Sequence, residues 1–160
     1  MKTIGVLSDT HRQSYDPELA ARLAEVFAGV DLILHAGDLT GPVVLDMLPG
    51  PEVVAVHGNM CSQAACAELP GRRLVEVEGK RLGLTHGWGS AQGLARRVWE
   101  EFRAQKVDAV VFGHSHQPTN LILEGVLLFN PGAVAPWPRR GATVGILIVD
   151  QGITGRILDL

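Results

Sequence analysis

Short apolar runs recur along the chain, and most of them stop abruptly at a polar motif. Lys2 to Ser8 is β-branched and apolar, the pattern of a strand covered on both faces, and it ends at Asp9-Thr10-His11. Asp16-Pro17-Glu18 predicts a helix start, with Asp as cap, Pro in the first turn and an acid beside the positive end of the dipole. Leu19, Leu23, Val26 and Phe27 follow at helical spacing, and Gly29 is a natural stop. Asp31 to His35 predicts a second buried strand ending at Gly37-Asp38. Pro42 to Leu48 predicts a short helix, and Val53 to Val56 a third strand ending at Gly58-Asn59. This β-α-β-α-β order is that of a parallel sheet with its chemistry at the strand C-termini.

The second half changes period. Leu74 to Val77 and Arg81 to Thr85 flank Glu78-Gly79-Lys80, which reads as a hairpin, and the second strand runs into His86-Gly87. Ser90 to Gln105 is expected to be helical, with Leu94, Val98, Trp99 and Phe102 on one face. Asp108 to Phe112 is another buried strand, ending at Gly113-His114-Ser115-His116. Two further hairpins should turn at Glu124-Gly125 and Gln151-Gly152, separated by an irregular loop from Asn130 to Gly141. The architecture implied is two mixed sheets packed face to face with helices outside.

Composition narrows the class. With 160 residues, 46% hydrophobic and 19% charged, residues 1–160 are expected to form one compact domain. A net charge of -3 offers no field for a general nucleic-acid binder. Cys61 and Cys66 form neither a Cys-x-x-Cys pair nor a disulfide framework, which fits a reducing compartment. The first residues enter a strand directly, without the pattern of a signal peptide, and no run is long enough to span a membrane. The expected location is the cytoplasm.

Five predicted strand ends therefore carry acids, an amide or imidazoles: Asp9-x-His11, Gly37-Asp38, Gly58-Asn59, His86-Gly87 and Gly113-His114-Ser115-His116. A lone His is usually structural or solvated. Two imidazoles just past a buried strand, with four other such motifs upstream, point instead to a metal site. Oxygen and imidazole donors without an obligatory thiolate suit borderline divalent ions such as Mn, Fe, Co, Ni or Zn. Seven donors exceed the needs of one ion, and two ions sharing a carboxylate would use them.

This ordered set resembles the motifs of the calcineurin-like metallophosphoesterases. The chain length and Asn130-Pro131-Gly132 resemble the family's small bacterial and archaeal phosphodiesterase branch. The resemblance implies a four-layer α/β-β/α sandwich. It also implies a metal-dependent phosphoesterase, a phosphodiesterase in preference to a monoesterase. One ion would be held by Asp9, His11, Asp38 and His116. The second would be held by Asp38, Asn59, His86 and His114, with Asp38 bridging, and Asp38, Asn59 and His86 would form the catalytic centre. Manganese is the first expectation for both ions, with Ni, Fe, Co or Zn as alternatives. A hydroxide bridging the ions would attack phosphorus in line with the leaving group, with no covalent protein nucleophile. The expected partner is a small phosphoester, nucleotide-like if the loop residues Trp137, Arg139 and Arg140 stack a base and pair a phosphate. Small members of the family often form homodimers.

The chain departs from the family pattern after Asn59. Many members carry a His there, followed by an orienting acid, whereas this sequence reads Met60-Cys61. Met60 cannot transfer a proton, so a modest catalyst on unactivated esters is expected. The family also contains a retromer subunit that uses the fold to bind protein partners, which makes a catalytically weak scaffold the alternative. The Gly-Asp-x-x-Asp-Arg-Gly run of protein phosphatases is absent, since Leu39-Thr40-Gly41-Pro42 follows Asp38. Of the remaining candidates, His35 is expected to be structural or to support a ligand. His57 faces either phosphate or solvent, Arg12 either substrate or solvent, and Cys61 is a small packed side chain.

Overall fold

The computed structural model describes residues 1–135 and 141–160, so Trp137, Arg139 and Arg140 lie outside the described residues. In chain order the strands of the first half are β1 (Lys2–Leu7), β2 (Leu32–His35), β3 (Val53–Ala55), β4 (Arg72–Val77) and β5 (Lys80–Thr85). They are followed by β6 (Ala109–Val111), β7 (Thr119–Leu123), β8 (Val126–Asn130), β9 (Thr143–Val149) and β10 (Ile153–Asp159). They build two five-stranded mixed sheets, ordered β10-β9-β1-β2-β3 and β4-β5-β6-β8-β7. In the first, β1, β2 and β3 run parallel and β9 and β10 close the edge as an antiparallel hairpin. In the second, β5, β6 and β8 run parallel, flanked by antiparallel β4 and β7.

The strands alternate their buried side chains between two cores. Ile4, Val6, Leu34, Val54, Leu84, Val111 and Phe129 meet between the sheets. The opposite face of the first sheet packs Leu7 and Ile33 against Leu19 and Leu23 of helix α1 (Pro17–Val26) and against Phe27, which caps its C-terminus. The second sheet packs Val110, Phe112 and Leu128 against Leu94, Val98, Trp99 and Phe102 of a later helix, α3 (Leu94–Phe102). Helix, sheet, sheet, helix is the four-layer sandwich expected from the sequence. α1 is capped as its sequence predicts, the Asp16 carboxylate accepting from the Leu19 N–H at 3.0 Å.

Three local expectations need adjustment. Pro42–Met47 is a 3-10 helix, its neighbouring Val43 and Val44 being poor α formers. The helix expected from Ser90 begins only at Leu94, because Gly93 sits at φ 73° in the left-handed region. A six-residue helix, α2 (Gln63–Glu68), lies where no element was expected; Ser62 caps it by accepting from the Ala65 N–H at 3.2 Å.

Phe129 ties the sheets together, being wholly buried between them with its ring over Gly145 and Gly155 of the hairpin. Phe129→Ala should lower unfolding stability by roughly 3–5 kcal/mol in chemical denaturation, the usual cost of emptying so large a site.

Candidate metal centre

Six parallel strands, three per sheet, deliver their C-terminal ends to one edge of the sandwich. Asp9 and His11 follow β1, Asp38 follows β2, Asn59 follows β3, His86 follows β5, and His114 and His116 follow β6. Past the strands, the loops after β1 and β2 stay paired: the Asp9 N–H donates to Gly37 O (3.0 Å) and the His11 N–H to Asp38 O (3.1 Å). Backbone pairing thus sets the spacing of the two carboxylates.

Asp9 and Asp38 are buried, at 0% and 3% exposure. Asp9 Oδ1 lies 3.0 Å from His116 Nε2, 3.6 Å from His11 Nε2 and 3.9 Å from His86 Nε2. Asp38 Oδ2 lies 3.1 Å from His86 Nε2 and 3.9 Å from His11 Nε2. Donor atoms of Asp9, His11 and His116, and those of Asp9, Asp38 and His86, cluster within 4.8 Å of one another. The two groups share Asp9, while Asp38 reaches toward a histidine of each.

Asn59 and His114 stand to one side, near-neighbours of each other at 3.1 Å from Oδ1 to Nδ1. The His114 ring meets that of His86 edge-on at 5.2 Å between centroids. Together with His11, Asp38, Met60 and His116, they line an open cavity of about 410 Å³.

Several observations fit this donor set to cations. Asp9 Oδ1, His11 Nε2 and His86 Nε2 are buried and have no hydrogen-bond partner among the described residues. Among the described residues no Lys or Arg pairs with either carboxylate, so imidazoles are the ionisable side chains that face the two buried negative charges. His86 Nδ1–H donates to Ala36 O at 2.8 Å, which turns the Nε2 lone pair toward the carboxylates. His114 Nε2–H donates to Gly89 O at 2.7 Å, turning its Nδ1 lone pair toward the Asn59 amide.

Burial acts to raise the Asp9 pKa, but His11, His116 and His86 more than offset it and hold the carboxyl below the usual range. Asp38 is likewise lowered, burial being outweighed by His86 and by the Met60 N–H. The pKa of His86 is raised: Asp38 and Asp9 overcome its burial. His116 is raised chiefly by its contact with Asp9.

The backbone is bent to make this possible. Asp9, His11, Asp38, His114 and His116 all have φ between 47° and 69°, in the left-handed region. Asp and His tolerate that region better than most residues, yet the conformation is still costly. The preceding glycines permit the approach: a Cβ on Gly113 would collide with Ser8 Oγ and Asp9 Oδ2, and one on Gly58 with Asp38. These strained positions are invisible to hydrophobic periodicity.

So were the groups that aim the donors. Ser8 Oγ–H donates to Asp9 Oδ2, which also accepts from the His114 N–H at 3.2 Å. The Met60 N–H donates to Asp38 Oδ1 at 2.6 Å. Asn130, noted in sequence as part of Asn130-Pro131-Gly132, donates from Nδ2 to Gly113 O (2.8 Å) and accepts from the Gly132 N–H (2.9 Å). It thereby fixes the turn that presents His114.

The remaining candidates are also placed. Arg12 donates to Asp16 and to Thr10 O, tying the loop to the start of α1. Cys61 Sγ accepts from the Gly58 N–H at 3.3 Å, and His57 lies beside Gly71 in a neighbouring groove. His35 is wholly buried, accepting at Nδ1 from the Gly37 N–H (3.2 Å), with Nε2 3.1 Å from Thr10 Oγ1.

Burial pushes His35 down to about 4, so the folded protein refuses a proton that the unfolded chain accepts below about 6.5. His35 therefore costs stability as pH falls through that window, on the order of 3 kcal/mol in all. His35→Asn, which keeps an acceptor for Gly37, should flatten the fall of metal-free stability between pH 6.5 and 4 relative to wild type in denaturant titrations.

Comparison with known proteins agrees with this geometry. Residues 1–152 match the profile of the calcineurin-like phosphoesterase superfamily domain. A probable metallophosphoesterase of Methanothermobacter thermautotrophicus is 39% identical over 148 residues, 92% of this chain and 86% of that protein. A phosphodiesterase of Methanocaldococcus jannaschii is 23% identical over 163 residues, 92% of this chain and 93% of that one. Among solved structures, an archaeal phosphodiesterase superposes with TM-score 0.81 at 22% identity, covering 99% of both chains. Vps29 of Chaetomium thermophilum superposes with TM-score 0.83 at 18% identity, covering 99% of this chain and 89% of the other. At such identities the structural likeness establishes the fold alone. Among the described residues no helix is long and apolar enough to cross a membrane.

Proposed function

The chain belongs to the calcineurin-like phosphoesterase superfamily, and on that premise we propose that it hydrolyses phosphodiesters with two divalent ions, manganese first among them. The observation that carries this reading is the pair of buried carboxylates faced by imidazoles, with no basic side chain to neutralise them among the described residues. Asp9, His11, Asp38 and His116 would hold one ion, and Asp38, Asn59, His86 and His114 the other. When bound, such ions would lower the pKa of a water toward neutral pH and supply positive charge for the phosphoryl oxygens. Around them, His86 is oriented by Ala36 O and Asp38 by the Met60 N–H, so neither must reorganise as charge develops.

The lining of the cavity supports a preference for a diester. Among its described residues there is neither Lys nor Arg to pair with the second negative charge of a monoester. The phosphodiesterase from Methanocaldococcus jannaschii supports the same choice. With Mn²⁺ or Ni²⁺ added, bis-p-nitrophenyl phosphate should be hydrolysed, and Asp38→Ala should lower kcat/KM by at least about 100-fold together with metal affinity. Activity unchanged in Asp38→Ala would refute the mechanism.

A second reading has one observation behind it. Met60 is 59% exposed in the cavity that the substrate would enter, where no proton donor is gained. Full metal loading with no turnover across monoesters, linear diesters and cyclic nucleotides would favour a scaffold for protein partners. If the chain is an enzyme, Met60→His should raise kcat on unactivated alkyl diesters by about tenfold or more. Its effect on p-nitrophenyl esters, whose leaving group needs no proton, should be small.

A further inference from the structure

A second groove of about 390 Å³ adjoins the metal centre and shares Asn59 and His86 with it. Its other walls combine an aromatic face with polar groups: Trp88, His57, Arg72 and Glu101. Trp88 is 49% exposed, which leaves part of its ring open to a ligand in the groove.

The ring is not left on a loose loop. The Arg97 guanidinium donates to Trp88 O through Nε (3.2 Å) and Nη2 (2.9 Å), to Gln92 O (2.9 Å) and to Ser90 O. On the other side Gly89 O accepts from His114. One loop is therefore clamped through its carbonyls between α3 and a proposed ligand of the second ion, which fixes the backbone that carries Trp88 beside the centre.

The polar wall is unfinished. Glu101 Oε1 lies 3.9 Å from Arg72 Nη1, but Oε2 is buried with no hydrogen-bond partner among the described residues. Burial holds the Glu101 carboxyl above its usual range. A ligand that satisfies this groove needs a flat π face for Trp88 and a hydrogen-bonding edge for Glu101, Arg72 and His57. An alkyl arm has neither, and a plain aryl arm lacks the edge.

We propose that this groove seats one ester arm of a phosphodiester held at the metal centre, and that the arm is a nucleoside whose base stacks on Trp88. The proposal rests on the phosphodiesterase reading and adds the substrate class to it.

The test compares p-nitrophenyl diesters of phosphate that differ only in the second arm: methyl, phenyl or thymidine 5′. With the manganese-loaded protein, kcat/KM for the thymidine ester should exceed that for the methyl ester by about tenfold or more, the range of base–aromatic stacking. Trp88→Ala should collapse that ratio to near one, and Trp88→Phe, which keeps a ring face, should restore much of it. Equal preference for phenyl and thymidine arms would overturn the nucleoside assignment. A thymidine preference that survives Trp88→Ala, or none in the wild type, would overturn the groove.

Calorimetric binding of thymidine 5′-monophosphate to the same proteins separates the two levels of inference. Binding weakened about tenfold in Trp88→Ala, with no diester hydrolysed, would sink the phosphodiesterase reading and keep the groove. Hydrolysis of every diester without arm preference, and Trp88-independent binding, would do the reverse.

Discussion

Two carboxylates, Asp9 and Asp38, are buried within reach of the same imidazoles and of no basic side chain among the described residues. Removing such charges from water costs several kcal/mol each unless they are compensated. Imidazoles compensate when protonated, the state toward which, despite burial, Asp38 and Asp9 push His86. Inward-facing ring nitrogens beside the carboxylates equally form a donor set for a cation. The rest of the molecule makes sense as the apparatus that keeps this unfavourable arrangement in place. Six parallel strand ends converge on it, glycines clear the way, and five of the seven donors accept left-handed backbone to point inward.

Positioning falls mostly to the backbone and to small polar groups. Asp38 is held by the amide of residue 60 and Asp9 by Ser8 and the amide of His114. Asn130 holds the turn before His114 from a different strand end. Position 60 therefore holds Asp38 through its amide, a contact in which the thioether takes no part.

Much of this was legible in the sequence because it rests on short-range pattern. Apolar runs of strand length ending in Asp-x-His, Gly-Asp, Gly-Asn, His-Gly and Gly-His gave both the two-sheet architecture and the candidate donors. Capping at Asp16 was readable for the same reason. Three things were not. Helix α2 has neither length nor periodicity to announce it, only Ser62 ahead of an alanine-rich turn. The left-handed conformations at Asp9, His11, Asp38, His114 and His116 depend on long-range packing, although Asp and His are among the residues that accept them. The groove around Trp88 joins β4, the β5 end and α3, which no local window spans. The expected base platform at Trp137 lies outside the described residues, whereas Trp88 carries no local signal beyond its place after His86-Gly87.

The pairing that continues beyond β1 and β2 bears on how the candidate site would receive an ion. Because Asp9 and Asp38 are spaced by amide-to-carbonyl bonds between their loops, the receptacle is assembled by folding itself. Small zinc domains differ, since their chains are organised only when the ion arrives. On the proposed two-ion reading, loss or exchange of an ion would leave that spacing in place, and an oxygen and imidazole donor set would accept any of several borderline divalent ions.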